Sequence, residues 1–154
     1  MTSFAYLSNN AFLKSPAASA ATPYAVAGLA WDGSVTNRPG ARFGPRAIRE
    51  ASHMLCDAIH PHFDVSPDGR LGDAGDLPLP NTSLAAMRDA MMPQVERLIR
   101  AHHMVWLGGD HSVTLPLLRA YRAMLGRPLA VIHFDAHCDT WEDHFGEPSG
   151  HGTW

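Results

Sequence analysis

Leu129-Ala130-Val131-Ile132-His133-Phe134-Asp135-Ala136-His137-Cys138-Asp139-Thr140 starts as an apolar run and ends as an alternation of ligand-type side chains. Successive residues of a strand point to opposite faces, so Asp135, His137 and Asp139 share one side. A buried strand from Leu129 to Phe134 would deliver two carboxylates and an imidazole to its carboxyl end. A polar loop has no need of that order, and a core strand would not tolerate it without a partner. A bound cation accounts for both.

Two further apolar runs share this design. Tyr24 to Trp31 ends at the turn Asp32-Gly33, and Met104 to Leu107 closes on Gly108-Gly109-Asp110-His111. Helical patterns separate them. Pro45 suits a first helical position and opens a helix of about ten residues through Ala47, Ile48, Ala51 and Leu55. Thr82 or Ser83 can cap the next helix, whose apolar positions are Leu84, Met87, Met91, Val95, Leu98 and Ile99. Pro93 inside it predicts a kink or a break into two pieces. Ser112 to Leu125 is again helical in period. Residues 60–81 read as loop with a short strand near Phe63-Asp64-Val65, and Gly72-Asp73-Ala74-Gly75-Asp76 as a strand-end turn. Continuous apolar strands alternating with helices indicate a mainly parallel sheet covered on both faces, an α/β fold in three layers. In such sheets ligands gather beyond the carboxyl ends of the strands, where both polar motifs lie.

A chain of 154 residues fits one domain with a real core. Residues 1–23 lack periodicity and are expected to form an N-terminal arm, with 24–154 as the structured part. With 12 Lys+Arg against 15 Asp+Glu, net charge −3, no basic surface for nucleic acid is indicated. Cys56 and Cys138 make neither a disulfide framework nor a CxxC pair, which fits a reducing compartment. No positive stretch precedes Ala18-Ser19-Ala20, so a secretory signal is rejected. No window approaches the run of roughly 18 apolar residues that a membrane span needs. The expected location is the cytoplasm.

His111 precedes Asp135 and Asp139 by 24 and 28 residues, an interval that fits one helical crossover. The two loops can then be neighbours on one edge of the sheet. In an extended strand Asp135 and Asp139 would lie roughly 13 Å apart, at about 3.3 Å per residue. Paired metals of a hydrolase lie only about 3.5–4 Å apart, so the chain must leave the strand near Asp135 and curl back. A carboxylate-rich set with imidazole favours Mn²⁺ over Zn²⁺ or Mg²⁺. The plainer reading, that these residues cap a helix and decorate a loop, suffices for a lone Asp-x-His. It does not explain two such motifs, each after its own apolar strand.

Together these segments are recognisable. Gly108-Gly109-Asp110-His111-Ser112 and Asp135-Ala136-His137-Cys138-Asp139-Thr140 resemble the first two metal signatures of the ureohydrolase family of arginases, agmatinases and guanidino-acid amidinohydrolases. Asn37 to Arg49 resembles the family's Gly-x-x-x-Gly-Pro-x-x-Ile-Arg element, and His151-Gly152-Thr153 the His-Gly-Thr of its agmatinase-like branch. The resemblance implies an arginase/deacetylase-like fold and hydrolysis of a guanidino compound to urea and an amine by a hydroxide bridging two Mn²⁺. It implies that His111 and Asp139 are terminal ligands of one manganese, His137 of the other, and that Asp135 bridges them. His151 would position substrate or shuttle protons. Asp110 and Thr140 would hold ligands in place, although turn capping explains Asp110 equally well. Homo-oligomers are usual in the family, and the implied partner is a small guanidino substrate.

The pattern also breaks. The family's third signature, Ser-x-Asp-x-Asp, supplies two more carboxylate ligands, and no Asp-x-Asp occurs in these 154 residues. The sequence is therefore expected to be the N-terminal half of such an enzyme, inactive by itself, its open strand edges an aggregation hazard. The other reading is a noncatalytic metal-binding or subunit-interface module that keeps half of the site. The remaining polar residues attract no chemistry. His60-Pro61-His62 reads as surface, His102 and His103 as a helix end. His133 is expected to pack or hydrogen-bond in the core, and Cys138 to alternate away from the ligands. His144 and Glu147 can border a substrate entrance, while Arg42 and Asn37 can reach a substrate tail or hold their own loop.

Overall fold

Ala25, Ala27 and Leu29 alternate with Val26 and Gly28 along the first strand, β1 (Tyr24–Leu29), and the two sets face different layers. The computed structural model describes residues 10–55 and 58–153, so Cys56 and the first part of the expected arm lie outside the described residues. Strand β1 is flanked by β2 (Leu71–Asp76) and β3 (His103–Gly108) in the order β2-β1-β3, both parallel to it. The helices are α1 (Gly44–Ser52), α2 (Leu84–Ala101) and α3 (Thr114–Leu125), with short 3₁₀ turns at Phe12–Lys14, Ala41–Phe43 and His111–Val113.

One layer is apolar and tight. Ala25, Ala27 and Leu29 meet Met87, Met91, Val95, Leu98 and Ile99 of α2 and Ala120 of α3 in one buried cluster. Met87, Met91 and Val95 are fully enclosed, each contributing about 1.5–3 kcal/mol of burial. The opposite layer is smaller and partly polar: Val26, Leu71 and Leu107 pack with Phe12 and Leu13. Arg49 of α1 is wholly buried there, its Nε bonded to Asp73 Oδ2 at 2.7 Å, its Nη2 to Asp73 Oδ1 at 2.8 Å, and its Nη1 to Asp76. Gly28 allows this approach, since a side chain there would strike Asp76 and come within 2.9 Å of Pro45 Cβ. The three-layer α/β arrangement with a parallel sheet is the one the sequence pattern indicates.

Several local expectations are corrected. The strand between α1 and α2 is Leu71–Asp76, and Phe63–Val65 is turn and coil. Its two glycines and two aspartates resemble a turn, but those aspartates are buried partners of Arg49, a contact remote in sequence. Helix α1 buries Pro45, Arg49 and Ser52, leaving Ala47, Ile48 and Ala51 exposed, because the ion pair and not the apolar stripe chooses its inward face. Helix α2 runs unbroken through Pro93. Pro93 and Asp89 are exposed, so water can bond the carbonyl that loses its helical partner.

The largest correction concerns Leu129–Phe134, which forms no strand. Val131, Ile132 and Phe134 are 48 %, 85 % and 95 % exposed. Apolar composition makes a strand only where a neighbouring strand takes up its backbone groups, and no described residue pairs with this run. The described part of the N-terminal arm, in contrast, is tied down. Ala17 bridges to Asp73, and Phe12 N donates to Asp73 Oδ2 at 2.7 Å. No helix among the described residues is long and apolar enough to cross a membrane.

Candidate metal centre

The carboxyl end of β3 aims His111. Gly109 has φ +60°, and a side chain there would collide with Leu29 O and lie 2.7 Å from Trp31 O, so this turn requires glycine. Asp110 N donates to Trp31 O at 2.8 Å, which ties the turn to the end of β1. The buried Asp110 carboxylate accepts from Ser112 N at 2.9 Å, from Ser112 Oγ and from Ser34 N at 3.0 Å. Asp110 thus caps the His111–Val113 turn and joins it to the loop after β1. Thr114 Oγ1 lies 3.1 Å from His111 Nδ1, one turn on, so the ring presents Nε2 to the site. That nitrogen is 3.1 Å from Asp139 Oδ2.

The second half of the site comes from the segment after Leu129. The chain bends at Ala136 and His137, and Asp139 takes φ +53°, which turns its carboxylate back toward His111. Asp135 Oδ1 accepts from His137 N at 2.8 Å. That bond above all holds the Asp135 carboxyl below its ordinary carboxylate range, against a small desolvation, with His133, His111 and His137 reinforcing it. Four ligand-type atoms, one each from His111, His133, Asp135 and Asp139, lie within 4.8 Å of one another. The structure leaves His137 outside that group; its imidazole is 77 % exposed, with Nδ1 3.4 Å from Asp135 Oδ1. Two imidazoles and two carboxylates form a donor set that fits a divalent cation.

Beside the cluster opens a cleft of about 410 Å³ lined by Thr36, His137, Cys138, Asp139, His144 and His151, among others. Asp139 belongs to both. His151 is half-buried, its ring edge-on to His144 at 4.4 Å, and its Nδ1 has no hydrogen-bond partner among the described residues. Thr140 is exposed, and its backbone forms a bridge to Thr153. Arg42 holds its own loop: its Nε donates to Asp32 Oδ1 at 2.6 Å. Burial opposes the Asp32 charge, but Arg42 and the backbone N–H of Gly40 and Arg42 carry the carboxyl below its usual range.

Two members of the site escape the sequence reading. His133 shares the two-residue alternation of Asp135, His137 and Asp139, so its parity was the available signal. Thr114 was readable only as a hydroxyl three residues after His111, one turn along a helix start.

Residues 22–154 match the model of the Arginase family. The chain is 41 % identical over 133 residues to an agmatinase of Chromobacterium violaceum, covering 84 % of this chain and 41 % of that protein. It is 40 % identical to a guanidinopropionase of Pseudomonas aeruginosa, over 92 % of this chain and 46 % of the other. Among solved structures, proclavaminate amidino hydrolase from Streptomyces clavuligerus superposes with a TM-score of 0.84 at 34 % identity, over 98 % of this chain and 51 % of that one. The chain spans about half the length of the relatives it matches.

Proposed function

The chain belongs to the arginase family, and from that premise we propose that residues 24–154 carry the first half of the catalytic site of an agmatinase-like amidinohydrolase. The proposed reaction is hydrolysis of a small guanidino compound to urea and an amine. The observation that supports it most directly is the convergence of His111, from the end of β3, with Asp135 and Asp139, from a loop 24 residues further on. Names of the relatives point the same way, an agmatinase and a guanidinopropionase.

In this reading His111, Asp135 and Asp139 hold Mn²⁺, and His137, beside Asp135, is available to a second ion. Bound there, the metal supplies Lewis acidity and lowers the pKa of a coordinated water. The residues of the chain do the rest. Asp110 fixes the turn that aims His111, and Thr114 fixes which ring nitrogen faces the cluster. His151, across the cleft, orients the substrate or carries a proton to the departing amine, a task suited to imidazole near neutral pH.

Two divalent ions carry four positive charges, and this cluster offers two carboxylates. We infer that further carboxylates complete the site and that residues 1–154 alone do not turn over. The test measures urea released from agmatine, guanidinobutyrate, guanidinopropionate and arginine with Mn²⁺. It compares the 154-residue chain alone with the chain co-expressed with the carboxyl-terminal half of the Chromobacterium agmatinase. Release only from the combined sample is expected. Robust release from the chain alone overturns the need for completion, and none from either sample overturns the proposed reaction.

A further inference from the structure

Among the described residues, every side chain that lines the cleft lies between His137 and Gly152 except Thr36, which stands on the loop of residues 33–40 after β1. Both ends of this loop are pinned. At its start Ser34 N donates to the Asp110 carboxylate at 3.0 Å. At its far end the buried Asp32 carboxylate accepts from Gly40 N at 2.7 Å and from Arg42 N at 3.3 Å. Gly40 has φ +131°, a conformation that suits glycine and lets the chain turn into the clamp. Arg42 closes it. Its Nε donates to Asp32 Oδ1 at 2.6 Å, and Asn81, with its amide oxygen turned inward, accepts from Nη1 and Nη2 at 2.7 and 2.8 Å. Between the pins Thr36 to Pro39 are exposed, and the Thr36 hydroxyl has no partner among the described residues.

We propose that Thr36 is a specificity-determining residue whose hydroxyl bonds the polar end of the substrate, remote from the guanidinium group. Arg42 is the positioning residue that sets where this hydroxyl stands. The inference rests on the urea-forming reading and adds two residues which that reading does not use. Asp139 belongs to both the cluster and the cleft, so a guanidinium group at the cluster leaves its tail in the cleft beside Thr36. A hydroxyl both donates and accepts, so it can serve a carboxylate tail or an ammonium tail. A loose loop would lose much of that contact to the entropy of ordering it. The Asp32–Arg42–Asn81 clamp orders the loop before substrate arrives.

The experiment uses the 154-residue chain co-expressed with the carboxyl-terminal half of the Chromobacterium agmatinase, with Mn²⁺. Urea release is followed from agmatine and guanidinobutyrate, and butylguanidine, whose tail is apolar, is tried as substrate and as competitor. Thr36→Val should raise KM for the preferred polar-tailed compound about 3- to 10-fold, with a smaller effect on butylguanidine and on kcat. Thr36→Ser keeps the hydroxyl and should restore most of the affinity. Arg42→Ala should raise the same KM, and combining it with Thr36→Val should add little. Circular dichroism checks the fold of each variant. Arg42→Lys, which keeps the charge and loses the fork to Asp32 and Asn81, replaces the alanine variant if that one does not fold. Equal shifts for polar and apolar tails, or none at Thr36, overturn the inference and leave the reaction standing. Fully additive losses overturn the role of Arg42. Absence of urea from every sample overturns the reaction, and this inference with it.

Discussion

Residues 24–126 and residues 127–153 both contain apolar stretches, yet the body that β1 forms with α2 is closed, the most exposed apolar side chains of the first region lying between Met54 and Val65, while the second region is open. In the first, Leu29, Val95 and Met91 have no exposed surface. In the second, Ile132, Trp141 and Phe145 are 85 %, 64 % and 87 % exposed. The difference is one of partners. Strand β1 has a strand on each side, whereas the run Leu129–Phe134 has none among the described residues. The candidate metal centre straddles the two: the closed region fixes His111, and the open one supplies His133, Asp135 and Asp139. A cation there would join them, since binding to the folded arrangement alone stabilises that arrangement.

The sharpest way to break the closed region is to remove Arg49. Its guanidinium is buried against Asp73 and Asp76, so Arg49→Ala strands two carboxylates without a counter-charge. The expected loss is about 3–5 kcal/mol in urea denaturation, a large share of the roughly 5–15 kcal/mol that holds a typical domain folded. The same network gives a pH dependence of known sign. Burial raises the Asp73 carboxyl, but Arg49 and the N–H groups of Phe12 and Gly75 outweigh it and hold it below its ordinary value. A depressed carboxylate contributes stability above its unfolded pKa and loses it as pH falls through the folded one. Stability should therefore decline below about pH 4 in the unaltered protein. Arg49→Ala should flatten that decline, and an unchanged acid limb would break the account.

A matched pair of truncations measures the contrast directly. Leu29→Ala removes a fully enclosed side chain and should cost about 2–5 kcal/mol. Ile132→Ala removes more exposed surface than buried and should stay within about 0.5 kcal/mol, while reducing aggregation. Comparable losses at the two positions would show that the segment after Leu129 packs in solution.

How much of this was legible in the sequence follows the same division. Strands β1 and β3 and helices α2 and α3 announced themselves because local periodicity and burial agree there. Strand β2 did not, since Asp73 and Asp76 become buried only by meeting Arg49, 24 and 27 residues earlier. The inward face of α1 was misread for the same reason. The run from Leu129 to Phe134 fails in the opposite direction, having the composition of a strand without the neighbour that makes one. Of the cluster, His111, Asp135 and Asp139 were readable from spacing. His133 was passed over although its parity groups it with them.

Thr114 probes how firmly the closed region aims its one ligand. Thr114→Val keeps the shape of the side chain and removes the hydroxyl at His111 Nδ1. Partners of this kind typically affect metal affinity by about 10–100-fold, and the half-exposed setting here places the expected loss near the lower end. Denaturation midpoints should hardly move. Unchanged Zn²⁺ affinity in equilibrium dialysis would mean that the Asp110 cap alone orients the ring.

The smallest effect is expected at the tie between the regions. Arg88, on α2 beside the enclosed Met87, donates to the backbone carbonyl of Ser149, and burial pulls its pKa below the ordinary arginine value without discharging it. It is a cation held partly out of water by that carbonyl, with the Glu147 carboxylate nearby. Arg88→Ala removes that hydrogen bond, worth about 0.5–1.5 kcal/mol, and leaves β1 untouched. If the regions unfold separately, hydrogen exchange should quicken about 2- to 10-fold in peptides covering residues 141–153 and stay constant in those covering 24–29. The turn bonds Trp141 N to Gly152 O and His144 N to Glu147 O would be the first to open. Equal acceleration in both peptides would show that the open segment and the sheet form one cooperative unit, and that the exposed apolar residues are held by the same core as Leu29.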